Sequence, residues 1–361
     1  LSDRARRDLS TAARWPVDLE LELAEGKRSS RLRKVEALLR AWSGAEAALA
    51  VNNNAAALTL AVDTLARRRR LIVSRGEQVE IGGSFRLPEI LERFAGKMVE
   101  VGTTNRTRLG DYARAITRKG DVLLKVHRSN FRQVGYTEEA ELAELAALGR
   151  EKGCPLIYDL GSGRFDEGFP WLDEPTLAAG QAAGPDLITF SGDKVFGGPQ
   201  AGIVLGRAEI VAAMRANPMA RALRLDKLNL AALAAPLADS LRDGEALPAV
   251  ALLSAGRDEI AARARKLAKL IRAERIAGLK TAVVDSEARS GGGAAAEDPW
   301  PSAALRLEAT GVKPQALARL LRRQKPALLV TLRREEVLLD LAALREEELP
   351  AAAAALKKAL E

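Results

Sequence analysis

Apolar positions recur at helical spacing among Arg and Glu from Ser2 to about Arg14 and from Arg31 to about Trp42, and Trp15-Pro16 breaks the pattern between them. After Ala45 the texture changes to short apolar runs, Ala48–Val51, Leu71–Val73, Val122–Val126, Leu156–Tyr158, Leu187–Phe190 and Gly202–Leu205, with an alternation at Met98–Val101. Helix-length segments such as Ala55–Leu65 and Glu138–Lys152 separate most of these runs. Strand, loop and helix repeated in this way predict a mainly parallel α/β sheet. Beyond Leu225 long Ala/Leu/Arg helices take over, broken at Gly244 and Pro248, with a further helix over Asp258–Ala273. A Gly-rich stretch, Ser290–Ala296, precedes a strand at Ser302–Glu308, a helix at Lys313–Arg323, strands at Ala327–Arg333 and Glu336–Leu341, and an Ala-rich terminal helix from Ala351. The pattern predicts a large α/β domain over 1–247 and a smaller α+β domain over 248–361.

Composition narrows the class. The chain has 361 residues, 47% hydrophobic and 29% charged, enough to bury a core and unlike a disordered or disulfide-stapled sequence. Its formal charge of +8 leans toward an anionic partner. Cys154 is the only cysteine and His127 the only histidine, which excludes an intramolecular disulfide, a thiolate metal cluster and a multi-histidine metal site. No apolar run reaches the roughly 20 residues needed to span a bilayer and no signal h-region opens the chain, so a cytoplasmic location is expected.

In an open α/β sheet the ligand sits beyond the carboxyl ends of the strands, so the residues just after each apolar run are the informative ones. Asn52-Asn53-Asn54-Ala55 would place amides and free backbone N–H groups at a helix start, which reads either as a phosphate site or as an ordinary N-cap. Asp159 follows Leu156–Tyr158, so its carboxylate would project into the same crevice or cap a turn. The segment Leu187–Gly202 puts Lys194 just past a buried strand, after Ser191 and before Gly197-Gly198, as expected of a Schiff-base lysine in a pyridoxal phosphate enzyme. A P-loop is excluded, because Gly-x-x-x-x-Gly-Lys-Ser/Thr is absent. Phosphate helix, strand-end Asp and strand-end Lys come in the chain order of the aspartate-aminotransferase-like fold. The run Arg67–Arg70 reads as a solvated helix end, where cations favour the negative pole of the helix.

These segments resemble the bacterial selenocysteine synthases, L-seryl-tRNA(Sec) selenium transferases. The resemblance rests on Val51–Ala57, Ser74–Glu77 with Glu80–Arg86, Val99–Thr107, Lys125–Asn130, Asp159–Gly163 and Ser191–Gly202, and it covers about residues 20 to 230. It implies an aspartate-aminotransferase-like (fold type I) transferase in which Lys194 carries pyridoxal phosphate and Asp159 pairs with its ring nitrogen. Asn53, Asn54, Ala55, His127 and Ser191 would complete the cofactor site, with a satisfied strand-end imidazole as the other reading of His127. The implied reaction converts seryl-tRNA(Sec) to selenocysteinyl-tRNA(Sec) by β-elimination to an aminoacrylyl intermediate and addition of selenium from selenophosphate. A related pyridoxal-dependent lyase acting on a small amino acid without tRNA is the alternative. Arg221 and Arg224, three apart on a predicted helix, together with Arg75, would bind the phosphate of the selenium donor, the other readings being a solvated helical face for the first two and internal ion pairing for Arg75. Arg106 is a further candidate for phosphate or substrate, with internal ion pairing as the other reading. The resemblance also implies a homo-oligomer built from dimers, a decamer in the family.

The match has gaps. Leu1 is not an initiator Met, and nothing matches the family's N-terminal tRNA-gripping domain or its Asn-Leu-Gly-Arg segment. The expectation is a fragment that binds cofactor, binds tRNA poorly and has one arginine fewer in its donor pocket. Trp15-Pro16-Val17 also departs from the family's Tyr-Ser-Asn.

Overall fold

The computed structural model describes residues 1–81, 85–164, 174–243, 247–291 and 299–361. The breaks expected at Gly244 and inside Ser290–Ala296, and the Gly82–Ser84 part of the matching segments, lie outside these residues. The chain packs as two compact units, Leu1–Val250 and Ala251–Ser290 with Asp298–Glu361.

The first unit is built on seven strands: β1 (Ala47–Val51), β2 (Arg70–Ser74), β3 (Lys97–Val101), β4 (Val122–Val126), β5 (Leu156–Gly161), β6 (Leu187–Ser191) and β7 (Gly202–Gly206). Their order across the sheet is β1-β7-β6-β5-β4-β2-β3. Every neighbouring pair is parallel except the two that involve β7, so six strands end at the same edge. Parallel strands covered on both faces read as continuous apolar runs instead of alternating ones. Accordingly, all five residues of β4 and all five of β6 are buried. The expected strands at Leu71–Val73 and Leu187–Phe190 each extend one residue further at one or both ends, because backbone pairing continues into Arg70, Ser74 and Ser191.

Helix α1 (Asp3–Arg14) is capped by the Ser2 hydroxyl, which accepts from Ala5 N, and α2 (Arg33–Ser43) ends on Gly44 in the left-handed region. Between them, Leu21–Glu22 and Lys27–Arg28 pair as a small hairpin that the apolar pattern did not announce. Helix α3 (Asn54–Ala66) is apolar nearly all round and packs against β1, β7, β6, β5 and β2. Its many alanines let its backbone approach the sheet closely. At Gly202 an added Cβ would lie 2.0 Å from the Asn53 carbonyl oxygen, so the start of β7 and the start of α3 touch backbone to backbone. Trp42 from α2 stacks edge-on against Phe196, with ring centroids 5.1 Å apart, and Phe190 closes the cluster at 6.4 Å from Phe196. That cluster pins the loop that follows β6. The amphipathic segment expected from Glu138 begins as helix α4 only at Leu142 and ends at Lys152, because Glu138 and Glu139 are drawn into ion pairs.

The second unit is a four-stranded antiparallel sheet, with β8 (Leu279–Ala288), β9 (Trp300–Ala309), β10 (Thr331–Arg333) and β11 (Glu336–Asp340) in the order β8-β9-β11-β10. Strand β8 is absent from the sequence expectation. It alternates half-buried and exposed positions in Leu-Lys-Thr-Ala-Val-Val-Asp-Ser-Glu-Ala, a weak apolar signal, and is fixed by ten-residue pairing with β9. Among the described residues no helix is long and apolar enough to cross a membrane.

Gly202→Ala is expected to lower the stability of the protein by about 1–3 kcal/mol, the usual cost of forcing extra volume into a packed site. A lower midpoint in equilibrium denaturation checks it; an unchanged midpoint would mean that the Asn53 carbonyl can yield.

Candidate active site

The residues singled out by the sequence gather at the edge where the parallel strands end. Asp159 lies in β5 opposite Thr189 of β6, and the register slips immediately after that pair, so that Phe190 faces Gly161 and Leu160 is left unmatched. Gly161 takes φ +74°, a conformation that glycine adopts without strain. This bulge re-aims the chain just beyond the carboxylate, a common use of a bulge beside a site.

Asp159 is buried and accepts two hydrogen bonds, from Asn54 Nδ2 and from Thr189 Oγ1, both at 2.8 Å and both on Oδ1. Among the described residues no hydrogen bond reaches its second oxygen, Oδ2. Burial pushes the Asp159 carboxyl above the usual carboxylate range, opposed by the two hydrogen bonds and by the charges of Lys194 and His127. A buried carboxylate with one tethered oxygen and one spare oxygen is suited to a cationic N–H partner. The side-chain oxygen of Asn54 is buried without a partner.

Asn53 is the N-cap of α3, its side chain accepting from Ala56 N, so the ordinary capping role is real. The helix start nonetheless remains next to the Asp159 crevice, because Asn54, the first helical residue, reaches Asp159. Lys194 lies in the turn after β6, which is held by Val195 N donating to Ser162 O (3.2 Å), Gly197 N to Lys194 O (2.9 Å) and Gly192 N to Ala201 O (2.8 Å). Ser191 is buried at the end of β6. His127 follows β4, its backbone N–H donating to Asp159 O at 2.9 Å, and its Nε2 lies 3.0 Å from Glu174 Oε2 without an aligned hydrogen bond. Glu174 Oε2 accepts from Ser162 Oγ at 2.6 Å.

The next strand over is braced by a buried ion pair. Lys125 Nζ donates to Glu77 Oε1 and to Glu139 Oε2, each at 2.8 Å, while Glu77 Oε2 accepts from Val126 N at 2.9 Å. Burial pushes the Glu77 carboxyl up, against the pull of the Lys125 charge. The brace fixes the residue before His127.

The arginines divide. Arg221 lies on the short helix α5 (Pro218–Ala222), but Arg224 does not continue it: Leu223 is the C-cap, and Arg224 makes an isolated bridge to Val51 of β1. The expectation of one helical face is corrected accordingly. The two side chains are instead presented by a helix end and a bridged strand, and Pro218 with Asn217 as N-cap confines the helix to one turn. Asn52 N donates to Leu223 O at 3.0 Å, and with its amide nitrogen turned inward Asn52 also donates to Arg224 O at 2.8 Å. This segment is thereby stitched to the start of α3. Arg75, in contrast, pairs with Glu100 of β3, Nε to Oε2 3.0 Å, at the other side of the sheet. Five inter-strand steps separate β1 from β2, about 24 Å, so the structure does not bring Arg75 together with Arg221 and Arg224. Arg106 donates to Tyr136 O at 3.2 Å.

Sequence reasoning missed Thr189, Glu174, Arg31 and Glu20. Thr189 had a readable signal, since a hydroxyl in the middle of a fully buried apolar run needs a hydrogen-bond partner. Arg31 and Glu20 had none: each is one charge among many in the Arg- and Glu-rich N-terminal region.

The profile of the L-seryl-tRNA selenium transferase family matches residues 1–345. The L-seryl-tRNA(Sec) selenium transferase of Solidesulfovibrio magneticus is 46% identical over 321 residues, covering 86% of this chain and 68% of the relative. That of Nitratidesulfovibrio vulgaris is 43% identical over 334 residues, covering 91% and 71%. Among solved structures, D-glucosaminate-6-phosphate ammonia-lyase superposes with a TM-score of 0.65 at 20% identity, covering 100% of this chain and 91% of that one. An SPT structure with a pyridoxal phosphate internal aldimine gives 0.52 at 15%, covering 99% and 84%; at these identities the two structures speak for the fold. By sequence along most of its length, this chain belongs to the L-seryl-tRNA selenium transferase family.

Proposed function

We propose that this chain converts seryl-tRNA(Sec) to selenocysteinyl-tRNA(Sec) with pyridoxal phosphate as cofactor and selenophosphate as selenium donor. Membership of the family supports the reaction and the tRNA substrate. The observation that carries the chemistry is the divided Asp159 carboxylate, with Oδ1 held by Asn54 and Thr189 and Oδ2 left for a ring N–H.

The residues fit the cofactor in kind. Backbone N–H groups at the start of α3, around Asn53, Asn54 and Ala55, would face the cofactor phosphate with the positive end of the helix behind them. Asn53 holds that turn in register by capping Ala56 N. Lys194 would hold the aldehyde, Ser191 and His127 would flank it, and Asp159 would keep a proton on the ring nitrogen. Bound pyridoxal phosphate supplies an electron sink for the pair released when the Cα–H bond of the seryl group breaks. Lys194, released when the seryl amine takes its place on the aldehyde carbon, would then be the base that takes that proton. Asp159 stabilises positive charge on its partner because its own carboxylate is poorly solvated and gains from a cation. Arg221 and Arg224 bind the donor's phosphate, orienting the selenium toward the β-carbon from which the hydroxyl has left.

Lys194→Ala is expected to remove the visible absorbance that borohydride bleaches and to lower turnover by about 10²–10⁴-fold, the usual share of a positioned acid–base group. The decisive assay compares seryl-tRNA(Sec) with free serine: selenium incorporation into the tRNA-bound residue is the expected result, and turnover of free serine alone would replace the reading with a lyase.

Asp159→Asn is expected to weaken cofactor binding and to change the pH dependence of the cofactor-free protein. The folded carboxyl titrates above its ordinary value near 3.8, so the folded state holds the extra proton in the window above that value. Stability should therefore fall as pH rises through the window, and Asp159→Asn should flatten this slope. Denaturation midpoints measured from pH 4 upward, at about half-unit steps, read it.

A further inference from the structure

Arg221 has no hydrogen bond or ion pair from its guanidinium among the described residues, yet its charge acts on one carboxylate, Glu20, as do those of Arg224 and Arg31. Arg31 donates to Glu20 Oε1 through Nε at 3.0 Å and also through its Nη2. Arg224 Nη1 stands 4.0 Å from the same oxygen. Arg31 itself is mostly buried, its side chain 17% exposed, and its Nη1 leans on the Leu225 carbonyl at 3.4 Å. Glu20 is over half exposed and immediately precedes the Leu21–Glu22 hairpin strand. A well-anchored guanidinium, Arg31, and a looser one, Arg224, thus converge on a carboxylate carried by a short surface segment, with Arg221 near enough for its charge to act on the same group.

We infer that Arg31 is a third guanidinium of the anion site formed by Arg221 and Arg224, and that Glu20 is a built-in carboxylate that holds the three together until a phosphate-type anion displaces it. The inference rests on the donor-site reading given above. Three arginines without an anion would repel one another, and one monodentate carboxylate neutralises only part of their charge. A tetrahedral oxyanion offers more acceptor oxygens to the same donors and a larger charge, so it can replace Glu20 without leaving the guanidiniums bare. The Glu20 carboxyl is held below the usual carboxylate range, first by the Arg31 hydrogen bond, so it is ionised and competes at neutral pH. Its exposure gives it water to enter on release, whereas Arg31 is fixed and stays.

Inorganic phosphate is the probe, titrated into the cofactor-loaded protein by calorimetry. Removing the competitor, Glu20→Gln, should tighten phosphate binding by about three- to tenfold, and Arg31→Gln should weaken it by about tenfold or more, with Arg31→Lys restoring only part because a lysine lacks the planar fork. A purely structural Glu20 would give no change or weaker binding on Glu20→Gln, and either result overturns the inference, as does unchanged affinity in a folded Arg31→Lys protein. Melting temperatures of all variants separate misfolding from lost binding. If Arg221→Gln with Arg224→Gln leaves phosphate binding unchanged, the donor-site reading itself fails; if that pair abolishes binding while the Glu20 and Arg31 variants bind as the parent does, only the present inference fails.

Discussion

A carboxylate taken out of water must be paired or hydrogen-bonded, or it gives up its charge. Asp159 meets that constraint halfway, and much of the first unit can be understood as the means of keeping it there. Its Oδ1 is satisfied from two directions, by Thr189 on the neighbouring strand and by Asn54 at the first turn of α3. For Asn54 to reach it, α3 must start close to the sheet, which the contact between Gly202 and the Asn53 carbonyl enforces. For Thr189 to reach it, β5 and β6 must run parallel in register up to that pair and diverge just after it. The sheet order, the helix start and the bulge are thus linked through one side chain.

The turn bearing Lys194 depends on a different kind of force. Its backbone is held by a few hydrogen bonds, but its position is set by Phe196, two residues on, which is driven into the core beside Trp42 and Phe190. Burying three aromatic rings contributes several kcal/mol in total on the usual scale of apolar burial. Hydrophobic packing therefore positions the turn that carries the Lys194 amine. The polar contacts then adjust orientation without having to supply the stability.

The parallel sheet was legible because most of its strands are short apolar runs followed by small polar residues, and burial on both faces leaves no alternation in them to confuse the reading; the edge strand β3, with Lys97 and Glu100 exposed, showed itself by alternation instead. Asp159, Lys194 and Asn54 were legible for the related reason that chemistry at a strand end interrupts such a run. What escaped was decided by tertiary pairing. Strand β8 carries Lys280, Asp285 and Glu287 on positions that face water and became a strand through its register with β9. The hairpin that follows Glu20 has two residues per strand and no apolar pattern. Arg224 was assigned to a helix by its spacing from Arg221, but the helix stops at Ala222 and the bridge to Val51 carries the chain onward. Arg75 shared a sheet edge with the site, and only the strand order shows that it stands at the wrong end of that edge.

Strand β7 runs against its neighbours, and that single reversal shapes the approach to the crevice. Every other strand delivers its chain outward at this edge into a loop that takes up room, whereas β7 enters there and descends between β1 and β6. The turn that carries Lys194 is therefore the connection from β6 into β7, and the first residue of β7, Gly202, lies backbone to backbone against Asn53. Two segments far apart in the chain, the lysine turn and the first turn of α3, are joined at this edge by the one strand that runs the other way, so a displacement of either is felt by the other.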